Sequence, residues 1–304
     1  MKRLTLQEMK STARHTLLSL LPALSGFACS DDKATAVPPA TTPAAAIRIA
    51  DYDGGGQHLE GEQAINDLRI CHFENGLLTA IHEHDIASDD GSYAIPLEQQ
   101  GGTLYVVANT DGIIDWEALR GQSLTEAEWL KKTVPMNGAQ ATPHFFSGSA
   151  ALGTQTDGHP TVPVTLKRGL ARFDLRIRTV GTTSVERFTL HNAAQSAYLF
   201  AGPDILSPAD TERKDVTLDF DTPLQSDKAG ILYLGEQQNV DLAVRIEAVI
   251  DGRRKVLTQP FEGDIKRNTI YTVTIRKDVI DIRLDVAFDE WEQGGDTELS
   301  PQAA

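Results

Sequence analysis

The stretch Val240-Asp241-Leu242-Ala243-Val244-Arg245-Ile246-Glu247-Ala248-Val249-Ile250-Asp251-Gly252 decides the fold class. Val240, Leu242, Val244, Ile246, Ala248 and Ile250 share one face of an extended chain, and Asp241, Arg245 and Glu247 share the other. Side chains alternate across a strand, so this period of two marks a strand with one buried face. Asp251-Gly252 follows at once, a dipeptide suited to the positive φ angles of a tight hairpin turn, and Val256 to Phe261 returns antiparallel. The same period recurs at Leu104, Val106, Ala108; at Phe173, Leu175, Ile177 between Arg172, Asp174 and Arg176; at Val216, Leu218, Phe220; and at Tyr271, Val273, Ile275. The longest run is Ile280, Ile282, Leu284, Val286, Phe288 against Asp281, Arg283, Asp285 and Asp289, which predicts a sharply two-faced strand.

Helix is scarce. The sequence predicts one, Ser123 to Lys132, with Ser123 and Glu126 as a capping box and Leu124, Ala127, Trp129 and Leu130 as its apolar stripe. Many short strands, frequent turn signals and a single helix predict an all-β protein of tandem β-sandwiches. The chain of 304 residues is long enough for two. The Gly/Thr/Pro-rich stretch from Gly153 to Pro163 places the boundary between them near residue 162.

Lys and Arg total 28 against 43 Asp and Glu, a formal charge of -15. Such a surface repels nucleic acid and anionic lipid. Cys29 and Cys71 are the two cysteines, too few for a disulfide framework, so packing must hold the fold.

Residues 1–28 read as an export signal: Lys2, Arg3, Lys10 and Arg14 precede the apolar run Leu17 to Leu24, which is too short to span a bilayer. Leu24-Ser25-Gly26-Phe27-Ala28-Cys29 resembles the cleavage and acylation site of a bacterial lipoprotein, which makes Cys29 the expected site of lipidation, palmitate included. Ser30-Asp31-Asp32 resembles the acidic surface-export start of Bacteroidetes lipoproteins. Residues 29–44 then read as a Pro/Ala/Thr linker that cannot pack a core. The expected order is a signal at 1–28, the linker, sandwiches at 45–162 and 163–291, and a polar tail at 292–304.

Few residues suggest chemistry. His82-Glu83-His84-Asp85 puts two imidazoles on one strand face, but no third metal ligand can be nominated. Asp51-Tyr52-Asp53-Gly54-Gly55-Gly56 with Glu62 at the twelfth position partly matches a calcium loop, although Gly55 replaces a ligand and no entering helix precedes it. Cys71 reads as a packed thiol. No nucleophile elbow, phosphate-cradling loop or zinc-helix motif occurs, so the expectation is a non-enzyme without cofactor.

Several motifs in order resemble the fimbrillin family, the subunits of Bacteroidales type V pili, in either a stalk-like or an anchor-type lipoprotein form. They are a strand ending Glu74-Asn75-Gly76, then Gly102-Thr103-Leu104-Tyr105-Val106-Val107-Ala108-Asn109, then Ser123-Leu124-Thr125-Glu126. Leu166-Lys167-Arg168-Gly169-Leu170-Ala171-Arg172-Phe173 is similar to the strand opening that family's second domain. Lys266-Arg267-Asn268-Thr269-Ile270-Tyr271 and Val286-Ala287-Phe288-Asp289-Glu290-Trp291 are similar to its ending. The resemblance implies two transthyretin-like β-sandwiches, an outer-membrane location and polymerisation by strand exchange. It also implies cutting after an arginine, loss of the first strand, and filling of the open groove by a strand from the next subunit.

By that resemblance Arg48 is the candidate cleavage site, since no arginine lies between Tyr52 and Asp67, and Ile280, Ile282, Leu284, Val286 and Phe288 are candidate plugs. A subunit cut at Arg48 and an uncut anchor or accessory subunit both remain open. The expected partners are other fimbrial subunits, the outer membrane through the lipid, and a host or bacterial surface ligand, but not nucleic acid. The competing class is a lipid-anchored glycan-binding module of a polysaccharide-uptake system. Such modules present solvent-facing aromatics, and only Trp116, Trp129 and Trp291 are available as tryptophans here.

Overall fold

The hairpin at 240–261 forms where its alternation places it. Ala243–Ile250 and Arg253–Pro260 pair antiparallel with Ile250 opposite Arg253. The turn between them uses Asp251 and Gly252 at φ 49° and 73°, the left-handed geometry of a twisted two-residue loop. Leu242, Val244, Ile246, Ala248 and Ile250 are all buried. Val240 instead lies outside the strand and is exposed, because the chain turns through Asp241 at φ 52°.

The computed structural model describes residues 44–84, 92–94, 101–136, 138, 144–153, 161–202, 206–277 and 282–288. In chain order the strands of the first half are β1 (Ala44–Ile49), β2 (Leu68–Glu74), β3 (Leu77–His84), β4 (Ser92–Ala94), β5 (Thr103–Ala108), β6 (Thr133–Pro135), β7 (Phe146–Ala151) and β8 (Thr161–Arg168). Two short helices, α1 (Trp116–Leu119) and α2 (Glu126–Trp129), fall between β5 and β6. The second half holds β9 (Leu170–Thr179), β10 (Thr183–Ala194), β11 (Ser196–Tyr198), β12 (Arg213–Leu224), β13 (Lys228–Gly235), β14 (Ala243–Ile250), β15 (Arg253–Pro260), β16 (Ile270–Lys277) and β17 (Ile282–Phe288). The protein is all-β, with tandem sandwich halves.

The first half is a seven-stranded sheet in the order β3-β2-β5-β7-β8-β1-β4. One core lies inside it: Leu68 and Ile70, Leu104, Val106 and Ala108, Phe146, and Val162, Val164 and Leu166. The opposite faces of β2 and β5 are also buried, because α1, α2 and residues 197–200 lay Trp116, Leu119, Trp129 and Phe200 over Phe73, Tyr105 and Val107. The α2 cap sits two residues beyond the predicted one. Residues 124–126 are drawn against β3, with Leu78 N–H donating to Leu124 O, so Thr125 and Glu128 form the capping box instead of Ser123 and Glu126.

The second half stacks the sheet β12-β10-β14-β15 on the sheet β13-β9-β16-β17. Its core centres on Phe173, Phe188, Phe261 and Tyr271, with the Phe173 and Tyr271 rings stacked at 5.3 Å. Sheet membership changes at Gly169, between β8 and β9, so the expected boundary at 162 falls inside β8. Gly169 suits that switch. A Cβ there would stand 1.9 Å from the Phe145 ring, which packs directly on the backbone.

Candidate functional site: the β1 groove and its closed end

β1 runs parallel to β8 over six residue pairs, from Ala44 opposite Thr161 to Ile49 opposite Leu166, and antiparallel to β4 over three. Its inward face carries Ala45, fully buried, and Ile47 and Ile49, partly buried against the first-half core. Taking β1 away would therefore uncover Val162, Val164 and Leu166 along a backbone edge able to accept another strand. Arg48 is on the outward face, exposed, and its Nε donates to Thr165 Oγ1 at 3.0 Å. It lies within the strand, one residue from its end, so a protease reaches its peptide bond only when β1 lifts from β8.

The chain after β1 is held by buried charge. Arg168, 1% exposed, donates from Nη1 to Ala50 O (2.8 Å) and Asn268 Oδ1 (3.0 Å), and from Nε to Glu62 O (3.2 Å). Its guanidinium lies 4.5 Å from the Tyr52 ring centroid. Arg172 forks onto Asp174 through Nε and Nη2 (2.9 and 3.0 Å) and reaches the Glu62 carboxylate (3.0 Å) and Gln57 O (2.9 Å) through Nη1. Glu62, 1% exposed, also accepts from the Tyr233 hydroxyl (2.8 Å) and the Leu59 N–H (2.6 Å). Asn268 donates to Asp51 O at 2.6 Å and accepts from Asp53 N–H at 2.8 Å, while Lys167 pairs with Asp53.

Each buried charge thus has a partner, as the cost of burying an ion demands. Burial alone would raise the Glu62 carboxyl, but the Leu59 N–H, the Tyr233 and Tyr52 hydroxyls and Arg172 hold it below the usual carboxylate range. Burial, reinforced by the Glu62 charge, keeps the Tyr52 and Tyr233 phenols well above theirs.

Sequence reading missed this cluster. It placed Arg172 and Asp174 on a solvent face, whereas residues 57–62 cover them and both are buried. The available signal was Arg168 and Arg172 bracketing Gly169 in an apolar run, two cations where β8 passes into β9.

Of the candidate plugs, Leu284 and Val286 lie in β17 and pack on the second-half core. β17 pairs antiparallel with β16 over seven residues, Lys277 opposite Ile282 through Tyr271 opposite Phe288. Ile282 and Phe288 therefore take their places in the home sheet, while Ile280 and Cys29 lie outside the described residues. The other candidates are spread through the fold. Glu83 turns to Arg69 and Arg120, away from the face shared by His82 and His84, whose imidazoles burial pushes down; Asp85 lies outside the described residues. Asp53 and Glu62 of the calcium-like segment are engaged by Lys167 and Arg172, and Tyr52, between Asp51 and Asp53 in the chain, is buried.

Among the described residues no three His, Cys, Asp or Glu side chains converge as metal ligands. Cys71 is buried, and burial pushes its thiol up to about 12. Trp116 and Trp129 are in the core, so neither offers a face to a sugar, and Trp291 lies outside the described residues. No helix among the described residues is long and apolar enough to cross a membrane.

No family model and no curated protein matches the chain. Solved structures do. The tip fimbrial protein Mfa3 of Porphyromonas gingivalis, solved with a C-terminal truncation, matches with TM-score 0.57 at 16% identity over 82% of this chain and 100% of that one. A fimbrilin of the same organism matches with TM-score 0.57 at 13% identity over 82% and 96%. A fimbrial assembly protein of Parabacteroides distasonis matches with TM-score 0.56 at 12% identity over 81% and 98%. The chain has the fold of these fimbrial proteins along nearly their whole length.

Proposed function

We propose that this protein is a structural subunit of a cell-surface fimbrium, exported as a lipoprotein acylated at Cys29 and joined to its neighbours by strand exchange at the β1 groove, in support of adhesion. The observation that carries the reading is β1 itself. It is short, the first strand among the described residues, and it covers an apolar core with one alanine and two isoleucines, in a fold shared with fimbrial proteins. Backbone pairing of this kind can be taken over by a strand from another copy, with its alternate side chains as plugs. The buried Trp116 and Trp129 weigh against the glycan-module alternative.

The test has two readouts. A fatty-acid probe should label the wild type and not Cys29→Ala; equal labelling of both ends the lipoprotein claim. Surface filaments should begin at Ile49, and Arg48→Ala should leave monomers. Filaments whose subunits still begin at acylated Cys29 would mean that the chain assembles uncut, as an anchor or accessory subunit.

A further inference from the structure

The bonds that hold the N-terminal segment change character at Ala50, whose N–H is the last to donate to the β8 backbone, at Leu166 O (2.8 Å). Up to Ile49 the described fastening is β-pairing, the inward side chains of β1 and the exposed Arg48 contact. From Ala50 to Glu62 no extended strand forms. Side chains of the second half and of the end of β8 take over, with Arg168 on Ala50 O and Glu62 O, Asn268 on Asp51 O, Arg172 on Gln57 O and the Glu62 carboxylate, and Tyr233 on Glu62. The residues making these contacts are themselves buried or half-buried; Arg172, Tyr233 and Asn268 belong to the second half, and Arg168 lies at the end of β8, beyond its last pair with β1.

We propose that this cluster is a stop that limits strand departure to β1: the chain lifts from β8 as far as Ile49, and residues 50–62 stay clamped as the closed end of the groove. The geometry gives the reason. Peeling β1 exchanges backbone bonds and a little apolar contact for water, whereas peeling the next residues would also break the charge-assisted bonds of Arg168 to Ala50 O and Glu62 O and of Arg172 to Gln57 O and the Glu62 carboxylate, with the Tyr233 bond to Glu62, a larger cost. The stop also defines what the groove takes. The slot runs from Thr161 to Leu166 of β8, six positions with three inward, the outermost filled by a side chain no larger than alanine in β1 and the next two by isoleucine. A strand of a second copy that fits is therefore short, with a small residue followed at two-residue spacing by two β-branched or similar apolar ones. The use of the slot rests on the strand-exchange reading, but the stop is a property of the uncut chain.

Amide hydrogen exchange on the full chain, read residue by residue, tests it. The Asp53 and Leu59 amides are bonded to Asn268 O and the Glu62 carboxylate. They should exchange at least about 100-fold more slowly than the slowest amide of Ala45–Ile49, since they open only with the cluster. Rates within a few-fold of each other would overturn the stop. Glu62→Gln should bring Asp53 and Leu59 to the rates of β1 while the amides of β14 stay protected. Unchanged protection at both positions in that variant would overturn the role of the charge cluster. Should the variant lose protection in β14 as well, it has unfolded, and the wild-type ratio alone decides. Trypsin cleavage after Arg48 separates the two ideas. Release of β1 with Asp53 and Leu59 still protected supports both, and loss of their protection with β1 overturns the stop. Retention of the cut β1 counts against strand exchange, and the uncut ratio then decides the stop.

Discussion

β1 and β17 are the first and last strands of the described chain, and both lie at or near a sheet edge, yet different forces fasten them. β17 places Leu284 and Val286 in the aromatic core of the second half and meets β16 in an antiparallel register of seven pairs. β1 offers Ala-Ala-Ala-Ile-Arg-Ile, and its closest partner is the parallel β8. Parallel pairing is slightly weaker per residue, and a buried alanine contributes much less than a buried leucine. β1 is therefore held mainly by backbone bonds, and any extended chain can supply those. A strand fixed by backbone bonds is exchangeable; one fixed by fitted side chains is not.

The harshest way to break that comparison is truncation. A chain ending at residue 279 loses β17 and opens the face of Val273 and Ile275 that Val286 and Leu284 meet in register. With each buried aliphatic side chain worth roughly 1.5 to 3 kcal/mol and the open edge of β16 added, the loss approaches the whole stability of such a domain, about 5 to 15 kcal/mol. The expected result is no cooperative thermal transition. A folded truncation that merely fails to polymerise would make β17 the donor and reverse the assignment of the two strands.

The next effect comes from the clamp. Arg172→Met fits the volume but leaves Glu62 and Asp174 buried beside an apolar chain, and should cost about 3 to 5 kcal/mol in a urea melt. Arg178→Met breaks the exposed pair with Asp227 and should leave the midpoint unmoved. Equal shifts in the two variants would mean that the cluster is hydrated and not a clamp. Smaller again is the contrast between the strands themselves. Leu284→Ala should cost about 2 to 4 kcal/mol, Ile47→Ala about 1 kcal/mol because Ile47 is only partly buried. An Ile47→Ala loss as large as that of Leu284→Ala would show β1 to be locked by packing.

What the sequence made legible follows from these same forces. Strands with one wet face announce themselves, as in β14, where every second residue from Leu242 to Ile250 is buried. β5 does not, since Tyr105 and Val107 look outward by alternation and are covered only because α1 and α2 pack over them. The helix cap moved because a tertiary bond from Leu78 to Leu124 outweighed a local capping box. The part that β1 plays in the first sheet was less legible, since Ala44–Ile49 is a weak strand by its own residues. Of the clamp, only the two arginines around Gly169 left a local trace in the sequence, and their partners left none. Glu62, Arg172 and Tyr233 are separated by 110 and 171 residues from Glu62 outward, and no local pattern records that a glycine-rich loop will fold over a charged strand face.

The smallest effect, pH, tests whether the clamp acts as a unit. Glu62 has a folded carboxyl held below its unfolded value, so its contribution is complete above the ordinary carboxylate range and is lost as pH falls through the depressed folded value. Tyr52 and Tyr233 have phenols held above their unfolded values by burial and the Glu62 charge. Their contribution is complete below about pH 10, the ordinary tyrosine range, and is lost as pH rises beyond it. The clamp should therefore loosen at both ends of the scale, while β17, which rests on Leu284 and Val286, should respond to neither. Exchange of the Asp53 and Leu59 amides, corrected for the intrinsic effect of pH, should quicken below the carboxylate range. The β16 amides that face β17 should keep their protection there. Glu62→Gln carries no carboxyl to titrate, so its acid limb should flatten. A variant that keeps the full acid limb would assign the acid sensitivity to some other carboxylate.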